Sequence, residues 1–263
     1  MRRIINKGLL AVLLVLLPVF VGCTVKEDRV PCPCYLNVSF THREAISHPV
    51  TLIGWDANEV FRETINVAEH DPYWVRAVQK GTFTLAACMG ASTSRLLGHQ
   101  VTIPSGSQAD SLYAYHTDVD CTGEMAYAEV TLRKQFATVR VDLLQTATQM
   151  REFKFNVEGT SCGFDLLDYS AVEGAFRFSP VATGRTVDFR IPRQADDALT
   201  LEIIHQGERL GLFPLGKYIL RTGYDWNAEE LQDIFITIDL VLGQVIVRVA
   251  DWQEGVVFKL IEQ

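Results

Sequence analysis

Acidic side chains form the first pattern that could bind a ligand. Asp118, Asp120, Thr122, Gly123 and Glu129 have nearly the spacing of a calcium-binding loop, which gathers oxygen ligands around a sharp glycine turn. However, a threonine stands where such loops carry aspartate or asparagine, and the flanking patterns are those of strands rather than helices. We therefore predict an acidic turn between strands and no metal site, with Asp118, Asp120 and Glu129 as the alternative ligand set.

Histidines and nucleophiles lack the spacings of known catalytic motifs. None of the six histidines forms the paired-histidine motif of a zinc hydrolase, and there is no Gly-x-Ser-x-Gly turn or phosphate-binding glycine loop. We predict a chain that is not an enzyme and has no cofactor.

Six cysteines carry the remaining thiol chemistry, and one of them, Cys23, follows a long apolar run. Residues 1–22 have a basic start and a 13-residue apolar stretch from Leu9 to Val21, which predicts a secretory signal too short to span a bilayer. Gly22 places a small residue directly before Cys23, as in bacterial lipoprotein signals. We predict cleavage after Gly22, acylation of Cys23 and permanent anchoring in a membrane.

The residues after Cys23 form a short tether, 23–33. Within it, Lys26, Glu27 and Asp28 resemble the basic and acidic signal for surface export of some Bacteroidetes lipoproteins, and a solvated linker is the alternative interpretation. Export to an oxidising compartment permits disulfides among the remaining cysteines. The candidates are Cys32, Cys34, Cys88 and Cys121, with one of the first two expected to bond to one of the last two.

Charge excludes one class of partner. The 24 basic and 32 acidic residues give a formal charge of −8, and removal of residues 1–22 leaves 21 basic residues against the same 32 acidic ones. An acidic chain of this kind is not expected to bind nucleic acid.

Period-two alternation runs through most of the chain from residue 35 onward, with glycine-centred turns between short apolar segments. This pattern predicts an all-β fold of two tandem antiparallel sandwiches, with an N-terminal domain at 34–143 and a C-terminal domain at 144–263. One short helix is predicted over 227–232, where Asn227 and Glu230 have the spacing of a capping box.

Both ends of the mature chain resemble a known family. The motifs are the lipoprotein signal, CPCYLNVSF at 32–40, LRTGYDW at 220–226, LQDI at 231–234, ITID at 236–239 and VRVADW at 247–252. In order and spacing they resemble the fimbrium anchoring subunits of the FimB and Mfa type from Bacteroidales fimbriae.

This resemblance implies a two-domain, transthyretin-like outer-membrane lipoprotein at the base of a fimbrium, exposed at the cell surface. Its expected partners are the outer membrane, through the lipid, and fimbrial pilin subunits. Shaft subunits that resemble this family lose a first strand by proteolysis, which opens a groove for a neighbour. Here a cut after Arg29 would remove only seven mature residues without strand alternation, which favours an anchor that terminates assembly.

An edge strand is expected to pair with the adjacent pilin. The predicted partner strand comprises Gln244, Val245, Ile246, Val247, Arg248 and Val249, and an internal core strand is the equally weighted alternative.

Two other functions are consistent with the same signal and fold. The first is a surface glycan-binding lipoprotein of a nutrient-uptake system, and the second is a fimbrial tip adhesin. A glycan-binding protein should carry an exposed aromatic platform. The sequence predicts no such cluster, because the four tryptophans have the positions of core residues.

Overall fold

Two β-sandwiches follow one another in this computed structural model, which describes residues 32–92, 95–144, 153–182, 184–249 and 256–259. The predicted all-β fold with two sandwiches and one short α-helix is confirmed. Gly22, Cys23 and the segment from Lys26 to Asp28 lie outside the described residues. None of the described helices has the length and apolar composition of a membrane span.

The first sandwich pairs a three-stranded sheet with a five-stranded one. The smaller sheet has the order β4, β1, β9, and its strands are β1 (Cys34–Phe40), β4 (Trp74–Val78) and β9 (Met125–Val130). The larger sheet has the order β10, β8, β5, β2, β3, and its strands are β2 (Val50–Asp56), β3 (Asn58–Ile65), β5 (Thr82–Met89), β8 (Tyr113–Asp120) and β10 (Arg133–Lys134). Alternate side chains of both sheets meet in one apolar core that includes Leu36, Leu52 and Leu85.

The second sandwich is built from a five-stranded and a six-stranded sheet. The first has the order β14, β11, β17, β18, β19, with strands β11 (Phe136–Leu144), β14 (Thr186–Pro192), β17 (Ile234–Asp239), β18 (Gln244–Val249) and β19 (Val256–Lys259). The second has the order β16, β15, β12, β7, β6, and β13 also pairs with β12. Its strands are β6 (Leu96–Leu97), β7 (Gln100–Thr102), β12 (Phe153–Asp165), β13 (Ala171–Phe178), β15 (Thr200–His205) and β16 (Glu208–Phe213).

The predicted boundary at residue 143 differs from the sheet topology. β11 ends at Leu144 and pairs with β14 and β17, so residues 136–143 belong to the second sandwich. The hairpin of β6 and β7 also lies in a sheet of the second sandwich, although it comes from the first half of the chain. A single cut in the sequence therefore cannot separate the two sandwiches.

The predicted helix was placed too late in the chain. The α-helix, α1, spans Leu215–Arg221, and residues 227–232 form turns and irregular structure. In α1, Leu215 and Ile219 are four residues apart and both are buried, so they lie on one face of the helix. The backbone N–H of Asn227 donates a hydrogen bond to the side chain of Asp225, which forms part of a turn.

The predicted partner strand, Gln244–Val249, is internal. β18 pairs with β17 along its whole length and with β19 over residues 244–247, and Val245, Val247 and Val249 are buried. Of the two interpretations of this segment, the structure has the core strand. The alternate residues of this strand pack into the core, and most of its backbone hydrogen-bonding groups are already paired with β17 and β19.

Candidate functional site

The first strand of the chain is held from both sides. β1 pairs antiparallel with β4 from Cys34 to Val38, and in parallel with β9 from Tyr35 to Phe40. Leu36 and Val38 are fully buried in the core of the first sandwich. Removal of β1 would leave the two outer strands without a partner between them, so this strand is a structural part of the sheet.

The outward-facing side chains of this sheet form an exposed aromatic cluster, which we call the tyrosine face. It consists of Tyr35, Asn37, Tyr73, Val75, Ala77, Met125 and Tyr127. The three tyrosines are 42–63% exposed, and the Tyr73 and Tyr127 rings lie 6.0 Å apart. The expectation that the chain has no exposed aromatic cluster was therefore wrong.

Asn37 lies at the centre of the tyrosine face and is almost completely buried between its neighbours. Its Nδ2 donates to the backbone oxygens of Tyr35 and Ala126, at 2.9 and 3.2 Å. The alternation of Met125, Tyr127 and Glu129 with small buried alanines was the sequence signal for this face. Tyr73 directly precedes β4, and its ring lies on the face beside that of Tyr127.

A third apolar cluster joins the two sandwiches. Outward-facing residues of the five-stranded sheet of the first sandwich, Ile53 and Ala86 among them, pack against Leu96, Val101 and Phe164 of the second. The molecule is therefore layered, with the tyrosine face on one side of the first sandwich and the second sandwich on the other.

Polar contacts surround this junction and were not predicted from the sequence. His99 Nδ1 lies 2.8 Å from Oδ1 of Asp165, and Gln100 donates to the other oxygen of the same carboxylate at 3.0 Å. The His99 ring also meets Trp55 edge to face at 4.7 Å. The partners in each of these three contacts are 44 to 66 positions apart along the chain, so spacing gave no sign that they meet.

Arg193 is a buried positive charge beside the same junction. Its guanidinium donates to the backbone oxygens of Trp226 and Ala228 and to Gln135 Oε1, and it lies over the Phe164 ring. Burial lowers the pKa of Arg193. Among the described residues no carboxylate lies within ion-pair distance of it, so uncharged acceptors hold this side chain in place.

A cleft of about 650 Å³ opens between the loop after β1 and strand β14. Its lining includes His42, His48, Asp110, Tyr113 and Arg190. Asp110 already pairs with Arg95 at 2.7 Å, and Arg190 Nε donates to a backbone oxygen at 2.9 Å. The polar groups of the cleft are therefore partly used in fixing its walls.

The structure brings together one pair of the candidate cysteines. Cys34 and Cys121 are fully buried in the same core, and their thiols are in hydrogen-bond contact. Burial and then this contact raise the pKa of the Cys121 thiol to about 12. Cys88 belongs to the junction cluster, Cys32 is exposed, and all five described cysteines are unbonded. A disulfide between Cys34 and Cys121 stays a prediction.

The acidic residues with calcium-loop spacing are not clustered. The corner that contains them connects β8 in one sheet to β9 in the other. Asp118 accepts a hydrogen bond from the Thr84 hydroxyl, and Asp120 accepts one from the Thr122 hydroxyl. The hydrogen bond from the Thr122 hydroxyl lowers the pKa of Asp120. Among the described residues, no group of three His, Cys, Asp or Glu side chains is placed to hold a metal ion.

Comparison with known proteins gives structural relatives only. A candidate polysaccharide-binding protein from Bacteroides thetaiotaomicron has a TM-score of 0.61 and 14% identity, covering 87% of this chain and 99% of that one. A candidate adhesin from Bacteroides ovatus has a TM-score of 0.60 and 12% identity, covering 88% and 97%. The fimbrial anchor protein Mfa2 from Porphyromonas gingivalis has a TM-score of 0.55 and 12% identity, covering 86% and 100%.

The chain has the fold of these fimbrial and adhesin-like proteins. The relatives include a fimbrial anchor protein, as the resemblance in the sequence implied, and the likeness extends over nearly their whole length. No protein-family model and no curated protein sequence matches the chain. At these low identities the comparison establishes the fold and leaves the activity to be argued from the residues.

Proposed function

We propose that this chain is an outer-membrane lipoprotein that anchors a fimbrial shaft at the cell surface and terminates its assembly. The observation that carries the proposal is the position of β1 between β4 and β9. A shaft subunit must lose its first strand to accept one from a neighbour. Here β1 begins at Cys34 and is paired on both sides. A cut after Arg29 would therefore leave β1 in the sheet and open no groove.

Two further observations support the proposal. The fold is shared with a fimbrial anchor protein over the whole length of that protein. The signal at residues 1–22 followed by Cys23 supplies the membrane attachment that an anchor requires. The acylated cysteine would be followed by a ten-residue tether that ends at Cys34, where β1 begins.

Since β18 is internal, we reassign the partner strand to β16, Glu208–Phe213. Among the described residues, this strand is the edge of its sheet, and β15 is the one strand that pairs with it. Two of its apolar side chains, Leu210 and Leu212, are exposed. An open edge offers backbone hydrogen bonds to a neighbouring chain, and exposed leucines add apolar contact.

The anchor function is tested on the natively expressed protein, extracted from outer membranes in mild detergent. We expect pilin subunits to co-purify and the N-terminal peptide to begin with acylated Cys23 by mass spectrometry. A chain that begins at Val30 without lipid, or that carries glycan-uptake components and no pilin, would contradict the proposal.

Two substitution sets make this experiment specific. Cys23→Ser should release the chain from the membrane and leave pilin binding intact. Leu210→Lys combined with Leu212→Lys should do the opposite, because the charges oppose strand addition at β16. Val241→Lys combined with Leu242→Lys is the control for the second set, since these two apolar residues are also exposed but lie in the turn before β18.

A second candidate function is supported by one of the structural relatives. The relative from Bacteroides thetaiotaomicron is described as a candidate polysaccharide-binding protein. A glycan-binding lipoprotein would bind purified polysaccharide in titration calorimetry and would be extracted without pilin. An adhesin would be found at the fimbrial tip by immunogold labelling, whereas an anchor would be found at the base.

A further inference from the structure

Four segments of the second sandwich line a cleft of about 400 Å³. They are the turn that leads into β13, the segment that follows β14, the C-terminal end of α1 and residues 224–227. The last segment alternates two buried rings, Tyr224 and Trp226, with two exposed polar residues, Asp225 and Asn227. The volume lies in the range of small-molecule sites, about 300–1,000 Å³, so the cleft can hold a small ligand.

Three residues that line this cleft carry a buried polar atom without a hydrogen-bond partner. The atoms are Nε of Arg193, Oε1 of Gln194 and Nε1 of Trp226. Among the described residues, these three are all the buried side-chain nitrogens and oxygens that lack a partner. Buried polar groups in proteins are nearly always paired, so each exception requires an explanation. Their coincidence at one cleft indicates that a ligand completes the pairing.

Other hydrogen bonds fix the side chains of Arg193 and Gln194. The two Nη atoms of Arg193 donate to the backbone oxygens of Trp226 and Ala228. Gln194 Nε2 donates to the backbone oxygen of Pro192 at 2.8 Å. Because these contacts hold the two side chains before any ligand arrives, little ordering is left for a ligand to impose.

The charges and hydrogen-bonding groups of the lining specify the class of ligand. Arg193 is the one base in the lining, and Asp196 and Asp225 are its two acids. A ligand anion would be repelled by the aspartates, and a ligand cation would be repelled by the arginine. The unpaired atoms comprise two N–H donors and one oxygen acceptor. A hydroxyl group both donates and accepts, so a neutral polyhydroxyl compound matches this mixed set.

We propose that this cleft binds a neutral sugar unit of a glycan. Hydroxyl groups of the sugar accept from Arg193 Nε and Trp226 Nε1 and donate to Gln194 Oε1. Tyr169 and Leu220 also line the cleft and supply apolar surface for the faces of the sugar ring. The site uses no residue of β1, of β16 or of the tether, so it is independent of the anchor function proposed above.

A glycan array tests the ligand class. The mature chain with Cys23→Ser is applied to neutral oligosaccharides of glucose, mannose, galactose, N-acetylglucosamine and fucose. Oligogalacturonate and chitosan oligomers are the anionic and cationic probes. We expect at least one neutral oligosaccharide to bind. Calorimetry should give it a dissociation constant at least about tenfold lower than those of the two charged probes.

Exposed residues at the mouth of the cleft supply the first variant. Asp225→Ala combined with Asn227→Ala should weaken binding of the neutral oligosaccharide at least about tenfold in calorimetry. Asp56→Ala combined with Asn58→Ala is the matched control on the first sandwich. These two residues have the same spacing and are also exposed. Asp56 also accepts a hydrogen bond from a nearby backbone N–H, as Asp225 does. The control should bind the sugar like the unsubstituted chain.

Trp226→Phe tests the unpaired indole N–H. This donor has no partner in the described part of the chain, so its removal breaks no hydrogen bond there. We expect binding of the neutral oligosaccharide to weaken severalfold while the circular dichroism spectrum is unchanged. If this variant does not fold, the exposed pair at the mouth decides the question.

Three results would overturn the proposal. They are the absence of binding to every neutral oligosaccharide, tighter binding of a charged probe, and unchanged sugar binding in the variant at the mouth of the cleft. Co-purification of pilin is measured separately on the lipidated protein. Failure of sugar binding therefore leaves the anchor function standing, and failure of pilin binding leaves the sugar site standing.

Discussion

β1 and β11 hold the same place in the two sandwiches. Each pairs antiparallel with one strand, β4 or β14, and in parallel with a later strand, β9 or β17. The sheet around β11 then continues through β18 and β19, whereas the sheet around β1 ends after three strands. The sheet that is closest to the N-terminal tether is thus the narrower and more apolar one, which indicates that the two domains meet different surroundings.

The largest expected effect concerns the cluster that joins the sandwiches. Phe164→Ala removes a buried ring from the junction, and Phe155→Ala removes a buried ring from the core of the second sandwich alone. Each substitution should lower the free energy of unfolding by about 3–5 kcal/mol. We expect calorimetry to give two transitions for the first variant and one for the second. A single shifted transition in both would mean that the junction does not couple the domains.

The cysteine pair should stabilise only the first sandwich. If Cys34 and Cys121 bond under oxidising conditions, the closed loop should add about 2–4 kcal/mol to the free energy of unfolding. We expect Cys34→Ala to remove this gain in oxidant and to have a much smaller effect in reductant. Non-reducing peptide mapping provides the direct check, and a bond from Cys32 or to Cys88 would show that the pairing is wrong.

High pH should destabilise the first sandwich through its buried thiols. Burial raises the pKa of Cys88 and of Cys121 from 9.0 to about 12. A raised pKa means that folding stabilises the protonated thiol, so this contribution is complete below pH 9 and is lost as the pH rises towards 12. Urea denaturation of the reduced protein should show that loss, and Cys88→Ala should reduce its slope.

The smallest effect separates the two sheet faces. Tyr127→Ala loses an aromatic contact with Tyr73 and should cost about 0.5–1.5 kcal/mol. Arg140→Ala, on the outward face of the sheet around β11, should cost about 0–1 kcal/mol, because Arg140 pairs there with Asp142 and exposed ion pairs contribute little. Chemical denaturation measures both, and a larger cost for Arg140→Ala would reverse the comparison.

Period-two alternation was sufficient to predict the all-β fold and a strand at Gln244–Val249. Whether that strand lies at an edge or inside the sheet could not be determined from one sequence. The predicted domain boundary at residue 143 was wrong because the sequence of β11 would alternate in the same way in either sandwich. The hairpin of β6 and β7 has strands of two and three residues, too short for a detectable period. For the helix, a capping-box pattern at 227–232 outweighed the true apolar spacing of Leu215 and Ile219.

The site was less predictable than the fold. Cys34 and Cys121 were among the candidate cysteines, yet only folding selects that pair over the alternatives. The tyrosine face could be read in part from Tyr35, Met125 and Tyr127, whose exposure follows from strand alternation. His99, Asp165 and Arg193 meet through tertiary packing, and no local pattern marks them.

The double pairing of β1 has a mechanical consequence for a tethered protein. A pull on the segment before residue 34 acts along the strand, which has five paired positions with β4 and six with β9. Force in that direction shears both ladders at once, so the hydrogen bonds share the load instead of opening one after another like a zipper. A strand built into the middle of its sheet is in this sense a joint that resists tension from the membrane side.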